Sequence, residues 1–183
     1  MREIELAHVL IKLRGADDRS YYLLHRHEKW GDWTLVGGHV EPGEEGLWSR
    51  TAERETEEEM APLQRARDFL LVPLLTRPVT WGPKPSRSAG GALTVYRAQF
   101  FRLVFRRDPA SLLAPLAERG FILLSEDQLA TDANVGDLVR QLEQHLEGGL
   151  SELPAAWTSP IDPDLIPRGS GNAPATPGLA RAN

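Results

Sequence analysis

The sequence predicts an α/β fold, a sandwich in which a mixed β-sheet lies between helices, and three features predict it. Residues 4–13 and Leu93–Phe105 are long apolar runs of strand composition. The charged segment 48–61 between them has the length and composition of a helix. A second, amphipathic helix over 135–146 follows the last strand-like run and is closed by Gly148-Gly149.

Each element has its own local reason. Residues 4–13 read as one strand, Gly15-Ala16-Asp17-Asp18 as a turn, and 21–25 as the returning strand of a hairpin. His25 and His27 sit two apart and can face one side of that strand; such a pair can bind metal, but no third ligand is near, and loop histidines are the plainer reading. Residues 30–33 turn the chain into a short strand, 34–36, with Trp33 read as core, and this strand delivers Gly37-Gly38. After the first helix, 69–75 is a strand interrupted by Pro73, which places it at an edge or a bulge. Residues 81–92 read as a flexible Gly/Pro/Ser connector whose Lys84 and Arg87 could hold distal phosphates. Leu93–Phe105 is the clearest strand, and since neither of its faces is wholly polar, both should be covered. A short helical insertion at 108–119 leads to a strand at 121–124, which ends in a capping box, Ser125 to Gln128.

Composition sets the outer bounds. A chain of 183 residues suits one domain with an appendage, and the expected division is a body at 1–149 and a Pro/Ala/Gly-rich, disordered tail at 150–183, on which only Trp157 and Ile161 suggest docking. The absence of cysteine excludes disulfides, thiolate zinc sites and a cysteine nucleophile. No signal segment, apolar span or lipidation motif is visible, so a cytoplasmic location without membrane attachment is expected. A net charge of −5 argues against a nucleic-acid partner, which needs a basic surface. Oligomeric state is left open.

The stretch that carries chemistry is 37–62, centred on Arg54-Glu55-Thr56-Glu57-Glu58-Glu59. On a helix, Glu55 and Glu59 lie about 40° apart and Glu55 and Glu58 about 60°, so three carboxylates share one sector. Local energetics disfavour this: Glu53/Glu57 and Glu55/Glu59 are like-charged pairs that cost about 0.2–0.5 kcal/mol each, and acids crowd the helix C-terminus, where the macrodipole repels them. A compensating partner is expected, and Mg²⁺ or Mn²⁺, which bind carboxylates and phosphates together, would serve. The run alone suits a solvated acidic face equally well. The preceding turn, with Gly37, Gly38, Pro42, Gly43 and the acids Glu41 and Glu44, favours a metal or phosphate loop. His39 lies beside that loop, in reach of a phosphate or merely exposed in a turn.

These residues resemble the box of the Nudix hydrolases, G-x5-E-x7-R-E-U-x-E-E-x-G-U with U a bulky aliphatic residue. Gly38, Glu44, Arg54, Glu55, Glu58 and Glu59 match its fixed positions in order. The Glu44–Arg54 gap is two residues longer, an insertion the loop before the helix can absorb; Thr56 stands at U, Ala61 at the late glycine and Pro62 after it. The resemblance, over about residues 4–147, implies a Nudix-like α/β/α sandwich. It also implies metal-dependent hydrolysis of a diphosphate linkage in a nucleoside diphosphate derivative. Glu55, Glu58 and Glu59 would then ligate Mg²⁺ or Mn²⁺ with the Gly38 carbonyl, Glu55 or Glu58 would be the base, and Arg54 would pair with Glu44 to orient the cluster. Two other readings stay open: a non-catalytic nucleotide sensor on the same fold, and a globular interaction domain with a solvated acidic helix.

Overall fold

A computed structural model describes residues 2–27, 29–86 and 89–167. Nine strands and four α-helices follow in the order β1 (Arg2–Leu10), β2 (Lys12–Arg14), β3 (Ser20–Arg26), β4 (Trp33–Thr34), β5 (Val36–His39), α1 (Trp48–Glu59), β6 (Phe69–Pro73), β7 (Val79–Pro85), β8 (Leu93–Phe105), α2 (Ala110–Glu118), β9 (Phe121–Ser125), α3 (Glu126–Thr131) and α4 (Asp137–His145), with a 3-10 turn at Pro163–Leu165.

The first sheet is mixed. Its order is β5-β1-β8-β6, β7 joins it by pairing with β8, and only β1 and β8 run parallel. The second sheet is antiparallel, β2-β3-β4, with β9 also on β3. The predicted single strand over 4–13 thus breaks after Leu10, and its two halves serve different sheets.

Period-2 alternation along β1 and β8 divides the interior in two. Ala7 and Val9 with Phe101, Leu103 and Phe105 face one core, which α1 covers through Ala52 and through Met60, the residue that ends it, and α2 through Leu113 and Leu116. Ile4, Leu6 and Leu10 with Ala98 and Phe100 face the other, covered by α3 and α4 through Leu129, Val139 and Leu142. Helices on both faces of a mixed sheet make the expected α/β/α sandwich, and both faces of β8 are covered. The capping box forms as read: Ser125 accepts from the Gln128 amide and the Gln128 side chain accepts from the Ser125 amide. Pro73 ends an edge strand, opposite Phe101.

Two expectations differ from the structure. Residues 81–85 of the expected connector belong to β7, held by Trp81↔Tyr96 and Lys84↔Thr94 pairing across a bulge; Arg87 lies outside the described residues. The expected tail also begins too early. Residues 150–167 return over the body, Leu150, Ala156, Ile161 and Ile166 are buried, and backbone bonds run from the Ala156 amide to the Lys12 carbonyl and from the Ile161 amide to the Arg14 carbonyl. Lys12 adds its ammonium to the Leu150 and Ser151 carbonyls at 3.1 and 2.6 Å. Sequence reading missed this strap because its anchors are spaced without period among prolines. The part of the expected tail at 168–183 lies outside the described residues. Among the described residues, no helix is long and apolar enough to cross a membrane.

Ile166 is fully buried in the first core, so Ile166→Ala should destabilise the protein by about 2–4 kcal/mol. Denaturant unfolding measures this, and a change within experimental scatter would show that the strap does not belong to the cooperative fold.

Candidate active site

The site begins where β5 passes α1. Gly37 has φ +131, and a Cβ there would strike the Ala7 carbonyl and the His8 backbone. A Cβ on Gly38 would lie 2.7 Å from the Glu55 carboxyl carbon. Gly37 therefore lets β5 lie close on β1, Gly38 lets the Glu55 carboxylate approach the strand, and the Gly37 amide donates to Glu59 Oε2 at 3.2 Å.

Helix α1 starts at Trp48, and Leu47 precedes it with no side-chain cap. Residues 45–47, where the two extra residues of the box are absorbed, close in a turn from the Leu47 amide to the Glu44 carbonyl at 2.7 Å. Thr56, in place of the bulky aliphatic residue, is fully buried and donates its hydroxyl to the Ala52 carbonyl at 2.7 Å. The bond satisfies the hydroxyl, so a polar side chain can occupy a core position.

Arg54 is the hub. Its guanidinium donates to Glu44 at 3.2 Å, to Glu55 at 2.9 Å, to Glu58 at 3.5 Å and to the His39 carbonyl at 3.2 Å. Glu44 also accepts from the Thr51 hydroxyl at 2.7 Å. These bonds hold its carboxyl down at about 2, the Arg54 bond first among them, and raise Arg54 further above its ordinary value. Glu55 and Glu59 move the other way. Burial pushes Glu55 up despite the Arg54 bond, and burial raises Glu59 to about 8. Glu58 is the open one, 60% exposed.

The compensation that the acidic helix requires comes partly from arginines. Arg65 pairs with Glu53 at 2.9 Å, and its amide donates to Glu57. Arg119 caps the helix, donating to the Glu58 and Ala61 carbonyls at 3.0 and 2.9 Å. A cation on orphan carbonyls at the negative end of the dipole does what a late glycine would otherwise help to do. No local signal in the sequence marks Arg119, which comes from the turn between α2 and β9.

Beyond Glu58 and Glu59 opens a cavity of about 930 Å³ between the sheets, which His8, His25, His27 and His39 line along with Trp81, Tyr96 and Arg119. His25 and His27 do share a side. His25 lies 3.2 Å from the Leu35 carbonyl and 3.5 Å from Glu59, and stacks on Phe121, while His27 packs on Trp30. His8 is 3% exposed with neither ring nitrogen in hydrogen-bonding geometry. Its burial lowers its pKa to about 3, an effect the nearby Val36 carbonyl only partly offsets, so the ring is neutral. Lys84 reaches the cavity but is paired with Asp137 at 2.7 Å.

Among the described residues, no three His, Asp or Glu side chains are gathered into a ready metal site. The donors nonetheless suit a hard cation in kind. Glu55 and Glu59 are carboxylates short of positive charge, Glu58 is accessible, and all are oxygen ligands.

A carboxylate helix is thus drawn against a glycine pair at the edge of a mixed sheet, beside the cavity, in an α/β domain. The NUDIX domain matches residues 5–137, and the chain belongs to that family. Its fold is similar to that of NrtR from Shewanella oneidensis, with a TM-score of 0.54 at 15% identity over 77% of this chain and 62% of NrtR, so it spans less than two thirds of that protein's length. A mutT/nudix family protein from Listeria innocua superposes with a TM-score of 0.50 at 18% identity, over 78% of this chain and 92% of the other. At these identities the likeness is one of fold. No curated protein matches the chain by sequence.

Between about 4.5 and about 8 the unfolded chain has released a proton that folded Glu59 still holds, so its contribution is fully present below the lower value and is lost as pH rises through the upper one. Metal-free protein should therefore lose stability between pH 5 and pH 9, and Glu59→Gln should flatten that loss. Unfolding midpoints at the two pH values in chelator provide the test; equal losses in both proteins would contradict the assignment.

Proposed function

We propose that this protein hydrolyses a phosphoanhydride bond in a nucleoside diphosphate derivative, with Mg²⁺ or Mn²⁺ as cofactor. The observation that carries the reading is the Arg54 clamp, which holds Glu44, Glu55 and Glu58 in one cluster beside Gly38 and the cavity mouth. Glu55, Glu58, Glu59 and the Gly38 carbonyl would hold the metal. When bound, it would neutralise phosphate oxygens and make water more acidic.

The remaining roles belong to the chain. Glu58, the accessible carboxylate on the cavity side, takes the proton of the attacking water at its own carboxylate oxygen. Glu55 and Glu59, whose burial favours the neutral form, would ionise to hold the metal and so fix its positive charge at the cavity mouth. Arg54 works through Glu44 and the other acids and is a positioning residue, since its guanidinium is filled by protein partners. Arg119, at the rim, holds the end of α1 and so the direction of Glu58.

Glu58→Gln preserves shape at an exposed position, so thermal stability should stay within about 1–2 °C while kcat falls at least about 100-fold. Phosphate release from a panel of nucleoside diphosphate derivatives, with Mg²⁺ and with Mn²⁺, is the measurement. Near-normal turnover by the variant would remove Glu58 from the mechanism. Silence of the wild type across the panel, with nucleotide binding retained, would favour a sensor.

A further inference from the structure

The floor of the cavity can be followed strand by strand. Leu6 and His8 on β1 stand in register with Ala98 and Phe100 on β8, and Tyr96, two residues before Ala98, stands beside Trp81 of β7. Residues two apart and cross-strand neighbours share one face of a sheet. From Gly38 the floor crosses two strand spacings to β8 and then runs three residues back to Tyr96. At ordinary sheet dimensions, that diagonal is about 14 Å.

The two ends differ in chemistry. At the glycine end stand the carboxylates of α1. At the far end Trp81 and Tyr96 form an offset stack, ring centroids 5.5 Å apart and planes within 13°, and both are half-buried and line the cavity. The cation beside them is compensated: Lys84 sits 5.5 Å from the Tyr96 ring and is ion-paired with Asp137 at the start of α4. A phosphate there would have to displace a carboxylate. Between the ends, the floor is Leu6 and the neutral His8. Trp81 Nε1 is also a buried donor with no acceptor, an imperfection a protein fold alone would not favour.

We infer that the Trp81–Tyr96 end of the cavity receives the flat heterocyclic ring of the substrate, and not a second phosphate. This rests on the proposed reading of the α1 end as the diphosphate site. The span between the ends is one that a pentose joining a ring to a diphosphate can bridge, and stacking on an aromatic platform tolerates different bases, since each offers a π face. Trp81 and Tyr96 are thus specificity-determining residues. The expectation that Lys84 holds distal phosphate is replaced by a role in fixing this platform.

The test measures binding without turnover, by calorimetry on the full chain in Mg²⁺, with adenosine 5′-(α,β-methylene)diphosphate and with ringless methylenediphosphonate. The wild type should prefer the ring-bearing compound by at least about tenfold, in line with stacking on a base. Trp81→Ala should collapse that preference, and Trp81→Phe, which restores a flat ring, should recover most of it. Three results would overturn the inference: no preference in the wild type, equal weakening of both compounds in Trp81→Ala, or no recovery in a folded Trp81→Phe. An added distal phosphate that tightens binding through Lys84, with the gain lost in Lys84→Ala, would also overturn it by making this a phosphate subsite. Affinity is read apart from hydrolysis, so an inactive protein can still show the ring preference and an active hydrolase can lack it.

Discussion

The guanidinium of Arg54 is the interaction on which the rest of the site depends. Without it, α1 would set acids in successive turns against one another and against the helix dipole. Five donors in a rigid planar fork answer several carboxylates at once, with a geometry that a lysine's three donors on one nitrogen do not reproduce. The clamp also couples sequence-distant pieces: Glu44 in the loop, His39 at the end of β5, and Glu55 and Glu58 on the helix become one body. Its effect on its partners is uneven. Glu44, with a hydroxyl and an arginine, is strongly acidic, whereas burial pushes Glu55 up despite the arginine, and Glu59, which Arg54 does not reach, is pushed up by burial too. The cluster therefore has a structural anchor and a set of carboxylates still short of cation.

That division explains why departures from the family pattern are tolerated. The two extra residues enter between the anchor and the helix, and the Glu44–Arg54 contact survives because a turn at 45–47 absorbs them. Thr56 keeps its place by bonding back to Ala52. Ala61 sits at a helix end whose carbonyls Arg119 already satisfies. At Thr56 and at Ala61 another bond of this chain satisfies the local polar groups, and Arg54 still reaches both Glu55 and Glu58.

What the sequence made legible was local. The span of α1, the capping box at Ser125 and Gln128, the edge position of Pro73 and the alternation of β8 follow from neighbours within a few residues, so the outline of the sandwich and the acidic cluster could be read directly. What was hidden depended on distant partners. Strand β7 looks like a connector, with Gly82, Pro83 and Pro85 in it, and is a strand only because β8 offers an edge for it. The strap over 150–167 has no period of its own and is held by amides and carbonyls of β2 and its flanks. Arg119 and the four cavity histidines come together only through the fold, and the break after Leu10 reflects a change of sheet, not a change of composition.

The cavity itself is a place where local stability has been given up. The second core is closed by Leu10, Tyr22, Leu24 and Leu124 at one end, yet along the same face of β1 the alternation puts His8 where an aliphatic residue would pack. A neutral imidazole with two unanswered nitrogens carries a desolvation penalty of about 1–3 kcal/mol per group, and an unanswered indole donor on Trp81 adds to it. A leucine at position 8 would remove that penalty and extend the core. Such defects concentrate where a chain must keep space and polarity for something other than itself. They lie on one continuous floor, from the glycine pair to the aromatic pair, in a cavity that both the acidic helix and β7 border.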